Sequence, residues 1–192
     1  MNYYIADTHF GHENILRHNA NNGARHFSSI EEYNNLLITN WNNVITPSDN
    51  VYILGDFSWL YAQDTLKILK ELKGAKFLVK GNHCRFAKDG ACKKEFQGIY
   101  DYKQIEDNGR VVILSHYPIM MWNGQHRGAI HLFGHVHNSI ENDLYQDYLK
   151  NLNDYYKNKR ENFNARAYNV GCMMPHMNYT PRTLDEIIKT SI

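Results

Sequence analysis

The sequence predicts an α/β protein with mixed sheets. Short apolar runs rich in β-branched and aromatic residues alternate with stretches of helical periodicity, and nothing repeats at a fixed period. The runs are apolar almost throughout, which is typical of strands that are covered on both faces. The turn residues Asp107-Asn108-Gly109 directly precede one run, which indicates that the sheets include antiparallel pairs.

The predicted strands and helices follow from these patterns in chain order. Ser28 or Ser29 can cap a helix over the following EEYNNLLITNWNNV, and Asp64 can cap a helix that ends at Gly74. The apolar runs predict strands at Asn2–Ala6, Asn50–Leu54, Lys76–Val79, Val111–Leu114, Ile130–Phe133 and Ala167–Val170.

Residues 138–166 differ from the rest of the chain, because they are polar and rich in Asn, Tyr and Lys. Apolar side chains still recur there at helical spacing, so we predict a helical insertion with one apolar face; a flap over the functional site is the alternative. The predicted face consists of Leu144, Tyr148, Leu149, Leu152 and Tyr156.

Length, composition and charge limit the possible classes of protein. We expect a single domain over residues 1–192, since a chain that is 43% hydrophobic and of this length suffices for one core. Lys plus Arg (21) nearly equals Asp plus Glu (20), so we expect no strong nucleic-acid footprint. We expect a cytoplasmic protein without membrane association, because no apolar run reaches about 18 residues and no signal core is apparent. The three cysteines form no CxxC pair, which argues against disulfides and against a cysteine zinc site.

Side chains that can bind metals or transfer protons follow five of the predicted strands. Since the carboxyl ends of strands face the ligand crevice in α/β sheets, we expect these side chains to meet. If extended geometry continued past the fifth strand, His135 and His137 would point the same way. The glycines suit sharp bends. The motifs are Asp7-Thr8-His9, Gly55-Asp56, Gly81-Asn82-His83, His116 and Gly134-His135-Val136-His137. Each motif alone is typical of an ordinary turn, but the five together favour one shared site.

In this order and at these spacings, the motifs resemble the five sequence blocks of the calcineurin-like metallophosphoesterases. The resemblance covers residues 7–137, and the wording DTHFGHENIL and LGDFSW is similar to a small subgroup of compact microbial phosphoesterases. It implies a four-layer α/β/β/α sandwich with two metal ions at the strand ends. It also implies that one ion is held by Asp7, His9 and His137, the other by Asn82, His116 and His135, and that Asp56 bridges both.

Such a donor set predicts the cofactor and the reaction. Imidazole, carboxylate and amide ligands suit divalent transition-metal ions, of which we expect manganese first and iron, zinc, cobalt or nickel as alternatives. We expect in-line hydrolysis of phosphoesters by a hydroxide that bridges the two ions, with Asp56 as the bridging carboxylate. Phosphodiesters are favoured over monoesters. The expected partner is a small organic or nucleotide-like phosphoester. The alternative function is a non-catalytic metal-binding scaffold of the same fold that binds a protein partner.

The remaining predictions concern proton transfer and substrate contacts. His83 is the candidate proton donor to the leaving oxygen. The acidic residue that usually follows this histidine in the family is Cys84 here, so we predict weaker general-acid catalysis and a bias toward good leaving groups. Candidate substrate contacts are Asn82, His12 and Arg127.

Overall fold

A computed structural model describes residues 1–21 and 25–191 of the chain. Their helices are α1 (Glu13–Asn21), α2 (Ile30–Val44), α3 (Ala62–Glu71), α4 (Gly90–Lys94), α5 (Ile140–Tyr156) and α6 (Leu184–Thr190). Their strands are β1 (Asn2–Ile5), β2 (Asn50–Leu54), β3 (Ala75–Val79), β4 (Phe96–Tyr100), β5 (Lys103–Asp107), β6 (Arg110–Leu114), β7 (Ile130–Phe133), β8 (Arg166–Asn169) and β9 (Arg182–Thr183).

The strands form two mixed sheets, which confirms the predicted α/β class. The first sheet has the order β4-β3-β2-β1-β9, in which only β9 is antiparallel to its neighbour. The second has the order β5-β6-β7-β8, in which β5 and β6 are antiparallel and the other pairs are parallel. The turn through Asn108 and Gly109 joins β5 to β6, with φ angles of 50° and 75° at these two residues.

Alternation along the strands divides the buried side chains among three apolar clusters. Tyr3 and Ile5 of β1 face a cluster that includes Trp41 of α2, whereas Tyr4 between them faces the β6 and β7 side chains of the second sheet. The third cluster joins the other face of β6 and β7 to α5, for example through Phe133. The two sheets therefore pack on each other, and helices cover both outer faces.

Helix boundaries agree with the sequence at α2 but not at α3. The backbone N–H of Glu32 donates to the Ser29 side chain, so Ser29 caps α2 as predicted. The predicted Asp64 cap of α3 is wrong: Tyr61 occupies the cap position and makes no side-chain cap bond. Asp64 lies in the first turn and pairs with Lys67 at 2.8 Å.

The polar insertion contains α5, which begins after Ser139 and packs against the second sheet. Its buried apolar side chains are Tyr145 and Leu149, and the rings of Tyr145 and Phe133 lie 4.9 Å apart. Leu144 is 71% exposed, so the predicted apolar face was wrong at that residue. This packing favours the helix over the flap. Within residues 1–21 and 25–191, no helix is both long and apolar enough to span a bilayer.

Candidate metal centre

The five motifs meet where the carboxyl ends of parallel strands from both sheets come together. β1, β2 and β3 are parallel neighbours in the first sheet, and β6 and β7 are parallel neighbours in the second. Backbone hydrogen bonds join the segments beyond the strand ends. Asp7 N–H donates to the Gly55 carbonyl (3.1 Å), and Gly134 N–H donates to the backbone carbonyl of His116 (2.9 Å). The sequence motifs are therefore held in register by the backbone itself.

Asp7, His9 and His137 form the first of two ligand groups, with ligand atoms within 4.8 Å of one another. The Nε2 atoms of His9 and His137 lie 3.2 Å apart. The Asp7 carboxylate accepts a hydrogen bond from the His135 backbone N–H through Oδ2 (2.9 Å). Its other oxygen, Oδ1, is buried and accepts no hydrogen bond from the described residues.

Asp56, His116 and His135 form the second group, again with ligand atoms within 4.8 Å of one another. His116 Nε2 lies 3.2 Å from Nδ1 of His135, 3.0 Å from Oδ1 of Asn82 and 3.5 Å from Oδ2 of Asp56. Asp56 Oδ1 accepts a hydrogen bond from the His83 backbone N–H (2.9 Å). Asn82, which the resemblance assigned to this ion, is thus part of the same cluster.

With His116 neutral, the second group has too few hydrogen-bond donors for its acceptors. His116 Nδ1 lies 2.9 Å from the Leu54 carbonyl, which requires the proton of a neutral ring to be on Nδ1 and leaves Nε2 as an acceptor. This nitrogen then faces the amide oxygen of Asn82 and the carboxylate of Asp56, which are acceptors too. A cation would compensate all of these acceptors together. His116 Nε2 and His135 Nδ1 lie 3.2 Å apart, which is close enough for both nitrogens to bind one ion.

Burial and mutual repulsion shift the pKa values of the first group. Burial and the nearby Asp56 charge raise the pKa of Asp7 to about 7, although His116 and the His135 N–H oppose this shift. Burial and the adjacent His137 ring lower the pKa of His9 to about 3. A metal ion would offset the free-energy cost of burying the ionised Asp7 carboxylate, because the ion supplies the missing positive charge.

The second group is partly stabilised by an internal ion pair. Burial opposes ionisation of Asp56, but its contact with His116 and the hydrogen bond from His83 lower the pKa of Asp56 to about 2. Burial likewise opposes protonation of His116, but Asp56 and Asp7 outweigh it and raise the pKa of His116. Burial and His116 lower the pKa of His135. Without an ion, a proton on His116 therefore provides part of the charge that the carboxylates require.

The backbone of the ligand residues departs from extended geometry. The left-handed φ angles include 71° at His135 and 49° at His137. The extended geometry assumed for this pair therefore stops before His135, and the two rings enter different ligand groups. Tight turns direct the side chains, in place of strand alternation.

Glycines allow the ligand segments to approach one another. Only Gly55 of the three predicted bend glycines has a left-handed φ, at 87°. Gly134 instead permits close packing: a Cβ there would lie 2.6 Å from Asp7 Oδ2. At Gly81, a Cβ would lie 2.2 Å from Asp56 Oδ1. Any side chain at these two positions would displace a carboxylate of the centre.

Of the predicted proton donor and substrate contacts, His83 and His12 lie near the candidate metal centre and Arg127 does not. The ring of His83 lies 6.3 Å from that of His9 and 4.2 Å from that of Trp59. His12 stacks on Trp59 at 4.1 Å. The prediction for Arg127 needs correction: this residue precedes β7 and lines a different cavity with Arg166, whereas the ligands follow the end of β7.

Asn169 is a supporting residue that the sequence prediction missed. It is 2% exposed, and its side-chain N–H₂ donates to the carbonyl of His137 (2.8 Å) and to the side chain of Asn142 (3.0 Å). Its side-chain oxygen accepts from Gly171 N–H (2.9 Å). A polar residue at the end of an otherwise apolar predicted strand, AYNV, was the available signal.

Two further side chains hydrogen-bond to the backbone of the Asp7-Thr8-His9 motif. The Tyr33 hydroxyl donates to the Thr8 carbonyl (2.8 Å), and the Cys172 thiol donates to the Asp7 carbonyl (3.2 Å). Both residues are buried, and burial raises the pKa of Cys172 to about 12, so the thiol remains protonated and able to donate. Neither residue belongs to a motif, so no sequence signal identified them.

The chain is similar to proteins from two other organisms over nearly its full length. It is 32% identical over 189 residues to the uncharacterized protein MJ1445 of Methanocaldococcus jannaschii, covering 97% of this chain and 89% of that protein. It is 31% identical to the protein of unknown function AQ665 from Aquifex aeolicus, whose crystal structure matches with a TM-score of 0.71 over 98% of both chains. No protein-family model matches the chain.

A more distant likeness carries no functional argument. A conserved uncharacterized protein of Streptococcus pneumoniae TIGR4, described as a predicted phosphoesterase, shares 16% identity with a TM-score of 0.36. The match covers 71% of this chain and 62% of that chain, and the superposition is too loose to compare sites.

The identity and coverage of the Methanocaldococcus jannaschii relative are sufficient to establish that the chain belongs to the same family as MJ1445.

Proposed function

We propose that the protein is a metal-dependent phosphoesterase that favours phosphodiesters and takes two divalent transition-metal ions, manganese first. The packing of two sheets on each other between helices supports the four-layer α/β/β/α fold that we propose. The observation that carries the proposal is the convergence of two ligand groups rich in acceptors at the ends of strands from both sheets. Burying so many acceptors together is unfavourable unless positive charge compensates them, so the arrangement supports a cation site.

The proposed ligands divide between two neighbouring ions. Asp7, His9 and His137 would hold the first. Asn82, His116 and His135 would hold the second, with Asp56 shared between the two. When bound, such ions supply positive charge that activates water as a nucleophile and stabilises the phosphoryl oxygens.

The reaction that we propose is hydrolysis of one ester bond. Water contributes a hydroxyl group to phosphorus, the bond between phosphorus and the leaving oxygen breaks, and that oxygen gains a proton. His83 is the proposed proton donor. Its backbone N–H is fixed to Asp56, and its ring contacts Trp59, which stacks on His12. The contact with Trp59 orients a ring that has no acidic neighbour in sequence.

Cys84 has a different task from the acidic residue of the family. The thiol is 9% exposed, and its sulfur accepts a hydrogen bond from Gly81 N–H (3.2 Å). Burial raises the pKa of Cys84, so the side chain remains neutral. Cys84 therefore holds the loop and gives His83 no anionic partner, and we propose that leaving groups of low pKa react best.

The proposal is tested with an aryl phosphate monoester and a matched diester after reconstitution with each candidate metal. The ligand variant is Asp56→Asn, and the control is Asp147→Asn, an exposed carboxylate on α5. We expect diester hydrolysis with manganese, a loss of at least about 100-fold in Asp56→Asn and no change in the control. Full activity in Asp56→Asn would remove the mechanism. If the parent binds metals without hydrolysing either ester, the scaffold alternative replaces the enzyme.

A further inference from the structure

Two cavities of different chemistry flank the segment that carries Asn82 and His83. The first, the aromatic cavity, has a volume of about 270 Å³ and is lined by Trp59, Tyr61, Phe86 and His83 among others. The Tyr61 ring is 88% exposed, whereas Trp59 is fixed by its stacking on His12. The proposed proton donor therefore opens onto an aromatic wall with two exposed rings, of which Tyr61 is the more exposed.

The second, the cationic cleft, has a volume of about 730 Å³. Its lining includes Asn82, whose side-chain oxygen lies 3.0 Å from His116 Nε2, and none of the described residues that line it is acidic. Four cationic side chains contribute to the cleft: Lys80, Arg85, Lys88 and Lys93. Arg85 also lines the aromatic cavity, so one cationic side chain borders both spaces.

The charge of the cleft is only partly compensated. Lys80 pairs with the exposed Asp101 at 2.6 Å. Asp89 is near Lys93, but its carboxylate accepts hydrogen bonds from the first turn of α4. Arg85, Lys88 and Lys93 form no salt bridge within the part of the chain that the structure describes.

This concentration of charge is local. The whole chain carries a formal net charge of only +1, which is why the overall composition predicted no nucleic-acid footprint. The four cations come from the end of β3 and from the following turn and helix, so they are close in sequence as well as in space. A cationic groove with an aromatic ring beside it is the arrangement by which proteins bind single-stranded nucleic acid.

The chemistry of the two spaces favours a strand over a single nucleotide. The aromatic cavity includes His83 and the cationic cleft includes the adjacent Asn82, so a ligand with its reacting phosphorus at the metal centre would have an aromatic and a cationic space beside it. An oligonucleotide supplies both a base and a further phosphate, whereas the cleft is larger than one phosphate needs.

We propose, on the basis of the phosphodiesterase function above, that the substrate is a short single-stranded oligonucleotide. A base next to the scissile bond occupies the aromatic cavity against Tyr61. The following phosphate lies in the cationic cleft, near Lys88 and Lys93. The proposal adds a substrate class and two subsites to the metal centre.

The test measures binding of a fluorescein-labelled thymidine pentamer to the metal-free protein by anisotropy over a range of salt concentrations. Lys88→Gln/Lys93→Gln is compared with Lys150→Gln/Lys157→Gln, two exposed lysines outside the cleft. We expect the cleft variant to reduce the slope of log affinity against log salt by about 1.4, since each cation contributes about 0.7. Tyr61→Ala should weaken binding by about 5- to 150-fold. The control double variant should match the parent.

Turnover separates this inference from the proposed function. With manganese present, the cleft variant should slow pentamer cleavage at least tenfold more than it slows hydrolysis of bis(p-nitrophenyl) phosphate. Equal salt slopes in the two double variants overturn the oligonucleotide groove, even if the aryl diester is hydrolysed. If tripolyphosphate displaces the pentamer as effectively as an unlabelled pentamer does, the ligand is a small polyanion and the groove is also refuted. Normal pentamer binding without hydrolysis of any ester would refute the enzyme instead.

Discussion

Asn169 provides the sharpest test of how the protein supports its candidate metal centre. Substitution by alanine removes a buried side chain that bonds to the His137 carbonyl, to Asn142 and to Gly171. None of these bonds involves a proposed ligand atom. We therefore expect Asn169→Ala to weaken metal binding through the position of His137 alone.

The expected magnitudes follow from the three hydrogen bonds. Each partner left unpaired costs about 1 kcal/mol at the lower end of the usual range, which gives a loss of about 3 kcal/mol in the free energy of unfolding. For a chain of this length the melting temperature should fall by about 6–12 °C. Loss of a residue that orients a ligand should lower metal affinity by about 10- to 100-fold.

Asn153 offers a matched control. Its side chain donates to the Ala165 carbonyl (3.1 Å) and accepts from the Ala165 N–H (2.7 Å), and neither bond involves a ligand segment. Asn153→Ala should lose about 2 kcal/mol of stability by the same reasoning. Its affinity for manganese should stay within about twofold of the parent, because only the structural part of the effect applies.

Calorimetric titration with manganese and thermal unfolding of both variants decide the matter. Asn169→Ala should lose both stability and affinity, and Asn153→Ala should lose stability alone. If both variants are destabilised but bind manganese like the parent, Asn169 serves only the fold. Our account of how His137 is oriented would then be wrong.

Three other predictions test the glycine contact, a buried histidine and the proton donor. Gly134→Ala should lower manganese affinity by at least about tenfold, because the new Cβ would lie 2.6 Å from Asp7 Oδ2; titration calorimetry measures this loss. Burial lowers the pKa of His131 to about 4, so below pH 6.5 the unfolded chain binds a proton that the folded chain does not. The free energy of unfolding should therefore fall by up to about 3 kcal/mol between pH 6.5 and pH 4, and urea unfolding of His131→Gln should show a pH slope smaller by about 1.4 kcal/mol per unit. Cys84→Asp should make rates on aryl esters depend less on leaving-group pKa, since an anion beside His83 would support its protonated ring.

Each of these predictions has a contrary outcome. Unchanged manganese affinity in Gly134→Ala would mean that the carboxylate of Asp7 can move without loss. Parallel stability curves for the parent and His131→Gln would show that another group controls acid unfolding. An unchanged leaving-group slope in Cys84→Asp would mean that the thiol has no bearing on proton transfer.

The central strands were predictable, and the missed ones share a physical cause. β2 and β7 have the predicted bounds, and the other predicted strands differ by no more than one residue at either end. The unpredicted strands β4, β5 and β9 all lie at sheet edges. An edge strand can expose polar side chains on its free side, so FQGIY and KQIED lack the continuous apolar pattern of a central strand.

Small ambiguities of position explain the errors within helices. Leu144 and Tyr145 are both apolar neighbours on α5, and periodicity alone does not determine which of them faces the sheet. Asp64 is a good capping residue, but α3 starts two residues earlier and uses it within the first turn. Arg127 precedes the strand predicted at Ile130–Phe133, so its place at the amino end of β7 was already contained in the sequence.

The candidate ligands were easier to find than their geometry, and the backbone explains the difference. Left-handed φ angles occur at five of the proposed ligand residues: Asp7 (54°), His9 (44°), Asp56 (46°), His135 (71°) and His137 (49°). A left-handed residue other than glycine costs about 1–2 kcal/mol, so the set costs about 5–10 kcal/mol, which is comparable to the whole stability of a typical domain. Glycine would remove that cost but would also remove the side chain. Retaining Asp and His at these positions is reasonable only if the side chains gain more from a bound partner than the turns lose, and a pair of cations can supply that gain.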